Sequence, residues 1–329
     1  MADVLKVLSI DGGGIRGIIP ATILAEIEGR TGARIADLFD LIAGTSTGGI
    51  LALGLVKPAA NGRPHYAASD LAELYEKEGK RIFERSAWHR IIALDSLLDE
   101  KYPLDGLESV LDAYFDDARL RDAVTEVLVP SYELETREPW FFARHKARAD
   151  VQNDFPMQFV ARATSAAPTF FEPLELTTSK PPGGLVDGGV YANNPAMCGY
   201  VEAKKLQPEA DEVLVVSLGT GQHTRPIHSA EAKDWGLALW AKPILNVVFD
   251  GVSDTVDHQM KILCRDSDEG DPRYYRFQTE LDRGSDDMDN ATATNISALK
   301  DKAHELIEAE STSLETLCRE LAARVASAA

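Results

Sequence analysis

Twice within the first 56 residues an apolar run ends abruptly in glycine and gives way to helical spacing, and this alternation constrains the fold more than any other feature of the chain. The first run, Val4-Leu5-Lys6-Val7-Leu8-Ser9-Ile10, has the leucine and β-branched content of a strand buried on both faces. Asp11-Gly12-Gly13-Gly14 closes it. From Ile15 to Glu28, residues Ile18, Ile19, Ala21, Ile23, Leu24 and Ile27 then recur at helical spacing, with Pro20 in the first turns, where its missing N–H costs least. The second run, Leu38–Ala43, reads as another buried strand; it enters Gly44-Thr45-Ser46-Thr47-Gly48-Gly49 and resumes as a helix over Ile50–Val56, ended by Pro58 and the loop 59–64. Further strand candidates are Glu126–Pro130, Pro139–Ala143 and Glu212–Leu218, with helical stretches between them. Strands alternating with helices predict an α/β fold in which a mostly parallel central sheet, wound by right-handed crossovers, is flanked by helices on both faces.

Composition narrows the function classes. With 34 Lys+Arg against 53 Asp+Glu in 329 residues the formal charge is −19, which repels nucleic-acid backbones and argues against a nucleic-acid polymer as partner. The 44 % apolar and 26 % charged residues are those of a globular chain, and no apolar run approaches the roughly 20 residues that span a bilayer. The N-terminus lacks a basic stretch followed by an apolar one, and Cys198, Cys264 and Cys318 lie too far apart for a disulfide framework or a zinc site; free thiols and a cytoplasmic location are expected. Residues 266–290 hold nine acidic against three basic side chains and read as a surface loop interrupted by a strand over Arg273–Thr279. Asp266–Asp271 misses the spacing and closing Glu of a calcium loop. From Ile296 to Leu321 the apolar positions describe one long amphipathic helix packed on the sheet. The whole chain, 1–329, is read as a single domain with a helical C-terminal extension from about 290.

Gly44-Thr45-Ser46-Thr47-Gly48 is a G-x-S-x-G between a strand and a helix. Such a turn lifts the serine clear of the backbone, and flanking glycines let neighbouring chain approach. Ser46 then sits at a helix N-terminus, where developing negative charge is favoured. A serine needs a base. Among seven histidines, His223, His228 and His258 have the chain order of a hydrolase triad, yet none occupies a tight strand-end motif. A carboxylate is better placed: Leu185-Val186-Asp187-Gly188-Gly189-Val190 sets Asp187 on a short apolar run before two glycines, and Tyr191-Ala192-Asn193-Asn194-Pro195 continues it as a rigid turn. Shielded from water, such a carboxylate has a raised pKa and serves as a base.

Gly12-Gly13-Gly14 offers successive N–H groups at a helix start, suited to an oxyanion, and the N–H of Thr47 is a further donor. Arg16 either holds an anionic group or braces the loop. Gly12–Gly17 also matches the dinucleotide pattern G-x-G-x-x-G, but the next strand ends in Ala43-Gly44-Thr45-Ser46 where a ribose-binding acid should stand, and no Gly-Lys-Ser/Thr of a P-loop follows. Chemistry without a metal or cofactor is expected.

Taken together, Asp11-Gly12-Gly13-Gly14-Ile15-Arg16-Gly17, Gly44–Gly48 and Asp187-Gly188-Gly189 resemble the three signature blocks of patatin-like phospholipases. The resemblance continues through Ala163–Phe171, Asn193-Asn194-Pro195 and Val215–Gly221, covering about residues 4–221 well and the rest loosely. It implies a three-layer α/β/α fold and a Ser46–Asp187 dyad in place of a triad. It also implies an oxyanion hole formed by Gly12–Gly14 with Arg16 in support, and lipid acyl ester hydrolysis through an acyl-enzyme. Gly189 stands where many relatives have alanine. The implied substrate is a phospholipid or lysophospholipid met in transient contact with a membrane surface, for which Trp88 with Ile91-Ile92, and Trp140-Phe141-Phe142, are the apolar candidates, core packing being the plainer role for each. Similar bacterial proteins include anti-phage effectors switched on by a cyclic nucleotide; no residue pattern here marks a pocket for one. Acyl transfer to an acceptor other than water, and a catalytically idle scaffold, are the rival readings.

Overall fold

The computed structural model describes residues 4–82, 104–176, 183–240, 243–267, 270–282 and 287–328, and among them ten strands and nine helices of eight residues or more organise the chain. The strands are β1 (Val4–Ile10), β2 (Leu41–Gly44), β3 (Glu126–Glu133), β4 (Glu138–Ala143), β5 (Leu174–Leu176), β6 (Gly183–Asp187), β7 (Glu212–Leu218), β8 (Gln222–His223), β9 (Tyr274–Phe277) and β10 (Glu280–Leu281). The helices are α1 (Ile18–Thr31), α2 (Thr47–Val56), α3 (Ala68–Ile82), α4 (Leu104–Phe115), α5 (Met157–Thr164), α6 (Ala196–Leu206), α7 (Pro243–Leu263), α8 (Ala293–Ala309) and α9 (Ser311–Ala328). The main sheet runs β5-β6-β3-β2-β1-β7-β9 with β4 added to β3, and β8 pairs with β10 separately. Every neighbouring pair from β3 to β9 is parallel; the antiparallel pairs, β3–β4, β3–β6 and β5–β6, lie at one margin.

Alternation along the strands assigns the two faces. Leu8 and Ile10 of β1, with Val216 and Leu218 of β7, join the larger core cluster with α1, α2, α3, α8 and α9, whereas Leu5, Val7, Val213 and Val215 join a second cluster with Ala196 and Ala203 of α6 and Met260 of α7. The result is the three-layer α/β architecture that the sequence pattern predicts. Helix α2 is buried at every residue, which is why its sequence is apolar all round.

Register explains why distant loops converge. Ile10 pairs with Gly44 on one side and with Leu218 on the other, so the segments that follow β1, β2 and β7 leave the sheet side by side at its carboxyl end. On β3, Leu128 pairs with both Ala43 and Ala143, and Ser131 with both Asp187 and Trp140. A strand has two edges; β4 therefore holds one, while β2 and β6 share the other and approach end to end from opposite directions. Three residues of β3, about 10 Å, separate the partners of Ala43 and Asp187.

Several local expectations are corrected. The second strand starts at Leu41, because Ile35–Leu38 forms a helical turn. The C-terminal amphipathic pattern is two helices that break at Glu310, where Ser311-Thr312-Ser313 begins the second and the Ser313 hydroxyl donates to Glu310 at 2.9 Å. Trp140-Phe141-Phe142, by contrast, lies in the expected strand, β4, and takes the plainer of its two expected roles: Phe142 is buried and stacks edge-on against Phe155, and the Phe141 ring meets Tyr191. Trp88, Ile91 and Ile92 lie outside the described residues, as do Asp268 and Glu269 of the acidic loop. No helix among the described residues is long and apolar enough to cross a membrane, and the three cysteines are free.

Candidate active site

Ser46 sits between β2 and α2 with φ 56° and ψ −122°, a conformation in the region that favours glycine. The strain persists because neighbours hold both sides of the turn. A Cβ on Gly44 would lie 2.1 Å from the Gly48 carbonyl oxygen, and one on Gly48 would lie 2.1 Å from that of Ile10. The Ser46 N–H donates to Thr164 Oγ1 at 2.9 Å, and Thr164 in turn donates to the Pro130 carbonyl of β3. Thr45 donates to the Ala192 carbonyl at 2.6 Å, tying this turn to the segment after β6. Thr47 Oγ1 and the Tyr75 hydroxyl of α3 share a hydrogen bond of 2.5 Å.

Asp187 ends β6 and is 1 % exposed. Its Oδ1 accepts from the Gly189 N–H at 2.7 Å, whereas Oδ2 is buried without a hydrogen-bond partner. Burial pushes its pKa up to about 7, against which the Ser46 hydroxyl and the Gly189 N–H pull down. The serine hydroxyl is thus close enough to favour the ionised carboxyl, although no hydrogen bond joins the two, and one carboxyl oxygen stays uncommitted. Gly188 lets the chain pass β3, since a Cβ there would lie 2.4 Å from the Pro130 carbonyl oxygen.

The glycine loop divides its labour. Gly12 donates its N–H to the Asn193 carbonyl at 2.9 Å, and a Cβ on it would meet Asn193 Oδ1 at 2.4 Å, so Gly12 serves close packing and is not an available oxyanion donor. This narrows the expectation that all three glycines supply donors. Gly13 and Gly14 both line the cavity described next, and no carbonyl accepts their N–H groups among the described loop contacts. Thr47, at the first position of α2, also lines that cavity, and no carbonyl accepts its N–H among the described loop contacts. Arg16 is 3 % exposed and donates through Nε to the Gly13 carbonyl at 3.3 Å. Burial lowers its pKa to about 10, while Asp250, Asp11 and Asp287 favour its charge. Of the two roles expected for Arg16, this geometry supports the brace.

Three partners of the loop were not singled out from sequence. Arg276 of β9 donates to both carboxylate oxygens of Asp11, at 3.0 and 2.6 Å, and to Ser217 at 2.8 Å; Asp11 is buried and its pKa is raised by that burial, with Arg276 opposing. Thr220 donates to the Gly12 carbonyl at 2.7 Å. The Met288 carbonyl accepts from Ile15 at 2.9 Å, so the acidic segment expected to be plain surface closes one wall of the site. The one available signal was Asp11 itself, an acid at the end of a buried apolar strand.

Ser46, Asp187, Gly13 and Gly14 open into one common cavity. Its remaining walls come mainly from Ile15, Ile50, Leu74, Tyr75, Ile82, Leu107, Phe170, Phe171, Phe249 and Met288, an apolar slot with a polar end. No histidine lines it among the described residues. His228 and His258 are exposed, and the side chain of His223 lies outside what is described.

The fold and site define a three-layer α/β protein with a strained strand–turn–helix serine beside a buried carboxyl. A family model for patatin-like phospholipase matches residues 8–198. Patatin-like protein 4 of Arabidopsis thaliana is 31 % identical over 93 % of this chain and 84 % of its own. Patatin-like protein 1 of Oryza sativa subsp. indica is 33 % identical over 90 % and 79 %. A relative from Solanum tuberosum, 32 % identical over 94 % and 87 %, is named probable inactive patatin-3-Kuras 1. The crystal structure of VipD from Legionella pneumophila overlaps at a TM-score of 0.39 and 12 % identity, covering 93 % of this chain and 67 % of that one, too loosely to carry an argument. The chain belongs to the patatin-like phospholipase family. That family places it among hydrolases of lipid metabolism.

Proposed function

We propose that this protein is a serine-type lipid acyl hydrolase of the phospholipase A or lysophospholipase kind, with Ser46 as nucleophile and Asp187 as base. Ser46 Oγ attacks the acyl carbonyl as Asp187 accepts its proton; Gly13 and Gly14, with Thr47, donate to the tetrahedral oxyanion; the alcohol or lysolipid takes the proton and leaves. Asp187 then draws a proton from water, whose oxygen attacks the acyl-enzyme and releases the fatty acid. Gly44, Gly48, Gly188 and Gly189 shape the two turns, and Arg16 braces the loop. The observation that carries the reading is the meeting of Ser46, in its strained turn, and Asp187, with its pKa near 7, at the polar end of an apolar cavity. A base poised near neutrality and a slot that accepts an alkyl chain are what such a reaction requires. Location in the cytoplasm, with contact at the inner membrane face, belongs to the same proposal and is supported by the three free cysteines. A cyclic-nucleotide activator and a defence role rest on the resemblance alone and form no part of it.

Fatty-acid release from phospholipids, lysophospholipids and short-chain esters tests the reading with wild type, Ser46→Ala and Asp187→Asn. The expected result is turnover by wild type and a loss of at least about a thousandfold in each variant. Equal release by all three removes the enzymatic reading and leaves the idle scaffold. Adding lysolipid or alcohol acceptors separates hydrolysis from acyl transfer.

A further inference from the structure

The segment Trp235-Gly-Leu-Ala-Leu-Trp-Ala-Lys-Pro-Ile-Leu-Asn-Val-Val-Phe249 contains one charged residue, Lys242, in a chain whose residues are 26 % charged. It does not bury what that composition suggests. Leu239 is 60 % exposed, Ile244 42 % and Val247 43 %, and Ile227 upstream is exposed as well. The rings of Trp235 and Trp240, both half-buried, meet edge to face at 5.2 Å. Helix α7 turns Leu245 and Phe249 toward the core, and Phe249 forms part of the wall of the Ser46 cavity; Ile244 and Val247 fall on the opposite, outward side. A helix end that is apolar on both sides is normally buried, so the outward side is incomplete in water.

We propose that Trp235, Leu239 and Trp240, with the first turns of α7, form the face by which this protein docks on a lipid surface. The proposal rests on the acyl-hydrolase reading for its purpose and on the exposed side chains for its location. Ile244 and Val247 lie within about 7.5 Å, along the helix axis, of the cavity-lining Phe249, so a surface that covers them brings acyl chains to the slot. Paired tryptophans are suited to the boundary between headgroups and hydrocarbon. A second copy of this chain is the other apolar occupant to consider, but it would bring −19 against −19. The same charge dictates the mode of attachment: insertion of apolar side chains into a zwitterionic surface, insensitive to salt, with no preference for anionic lipid.

The test compares wild type with a Leu239→Ser/Ile244→Ser/Val247→Ser variant, whose changes are all exposed. Phosphatidylcholine vesicles are sedimented with each protein at low and high salt, light scattering gives the oligomeric state without vesicles, and turnover is measured on vesicles and on a water-soluble short-chain ester. Wild type is expected to sediment with vesicles at either salt concentration. The triple variant should partition at least about tenfold more weakly and lose vesicle hydrolysis in proportion, with its rate on the soluble ester unchanged. The proposal is overturned if wild type stays in the supernatant, if the variant binds equally, if salt removes binding, or if wild type is a dimer that the variant dissociates. Binding that depends on these residues, in a wild type that cleaves neither substrate, upholds the docking face and sinks the acyl-hydrolase reading instead.

Discussion

Replacing Asp187 by Asn asks the sharpest question of this site, because it removes one ionisation and changes little else. The buried carboxyl titrates near 7 in place of 3.8, about three pH units, with desolvation as the main cause. At about 1.4 kcal/mol per unit, ionising it in the fold is harder than in the unfolded chain by about 4 kcal/mol. The sign follows from the protons. Between pH 4 and 7 the folded protein holds a proton that the unfolded chain has released, so this group makes stability fall as pH rises through that window and contributes no further slope above it. The amide introduced by Asp187→Asn carries no such proton, and its carbonyl oxygen can still accept from Gly189. Urea unfolding of both proteins at intervals from pH 4 to 8 should show the variant gaining on wild type by up to about 4 kcal/mol across the range. Taking the difference cancels other groups, including buried Asp11. In parallel, kcat/KM of wild type on a soluble ester should rise with pH through about 7 and level off, since only the carboxylate accepts the serine proton. A stability difference that stays constant with pH, or an acid limb near 4, would show that Asp187 is solvated like an ordinary carboxyl and would refute the reasoning.

Other outcomes follow from the geometry. Ser46→Gly should be more stable than Ser46→Ala by about 1–2 kcal/mol in thermal unfolding, because only glycine relieves φ 56°, while both lose turnover; equal stabilities would mean the turn is unstrained. Arg276→Met leaves Asp11 buried without its hydrogen-bonded counter-charge, only the more weakly acting Arg16 remaining, and should cost about 3 kcal/mol in urea unfolding, together with a fall in kcat larger than any change in KM, with Arg276→Lys recovering part of both; an unaffected kcat would remove Arg276 from the support of the glycine loop. Gly48→Ala drives a Cβ into the Ile10 carbonyl at 2.1 Å and should lower stability by at least about 2 kcal/mol and remove turnover; a variant with wild-type melting would show that β1 and α2 can separate there without cost.

Sequence pattern carried far where the information is local. The apolar run 4–10, the glycine-bounded Ser46 turn and the apolar helix 47–56 are each legible because backbone sterics and burial act over a few residues, and so Gly44, Ser46, Gly48, Asp187 and the three-layer class were readable before any contact was known. Boundaries decided by a distant partner were not. The strand expected from Leu38 begins at Leu41, where pairing with Val7 and Glu126 starts, and one expected C-terminal helix is two. The glycine loop is the clearest case: its sequence offers three alike N–H donors, and only the contact with Asn193, 181 positions away, removes Gly12 from the set.

What the sequence determined by itself is thus a set of chemically capable parts: a serine on a glycine-bounded turn, an acid on an apolar strand, a run of glycines and a charge of −19. What the tertiary structure decided is their company. Pairing of Ile10 with both Gly44 and Leu218 gathers three loops at one end of the sheet, and the shared edge of β3 points β2 and β6 at each other, so that a serine and a carboxylate 141 positions apart look into one cavity. The buried ion pair of Asp11 with Arg276 and the half-covered helix α7 arise in the same way. The reason is physical: a raised pKa, a counter-charge and an exposed apolar face are properties of an environment, and environment is set by contacts between segments that local propensity does not encode.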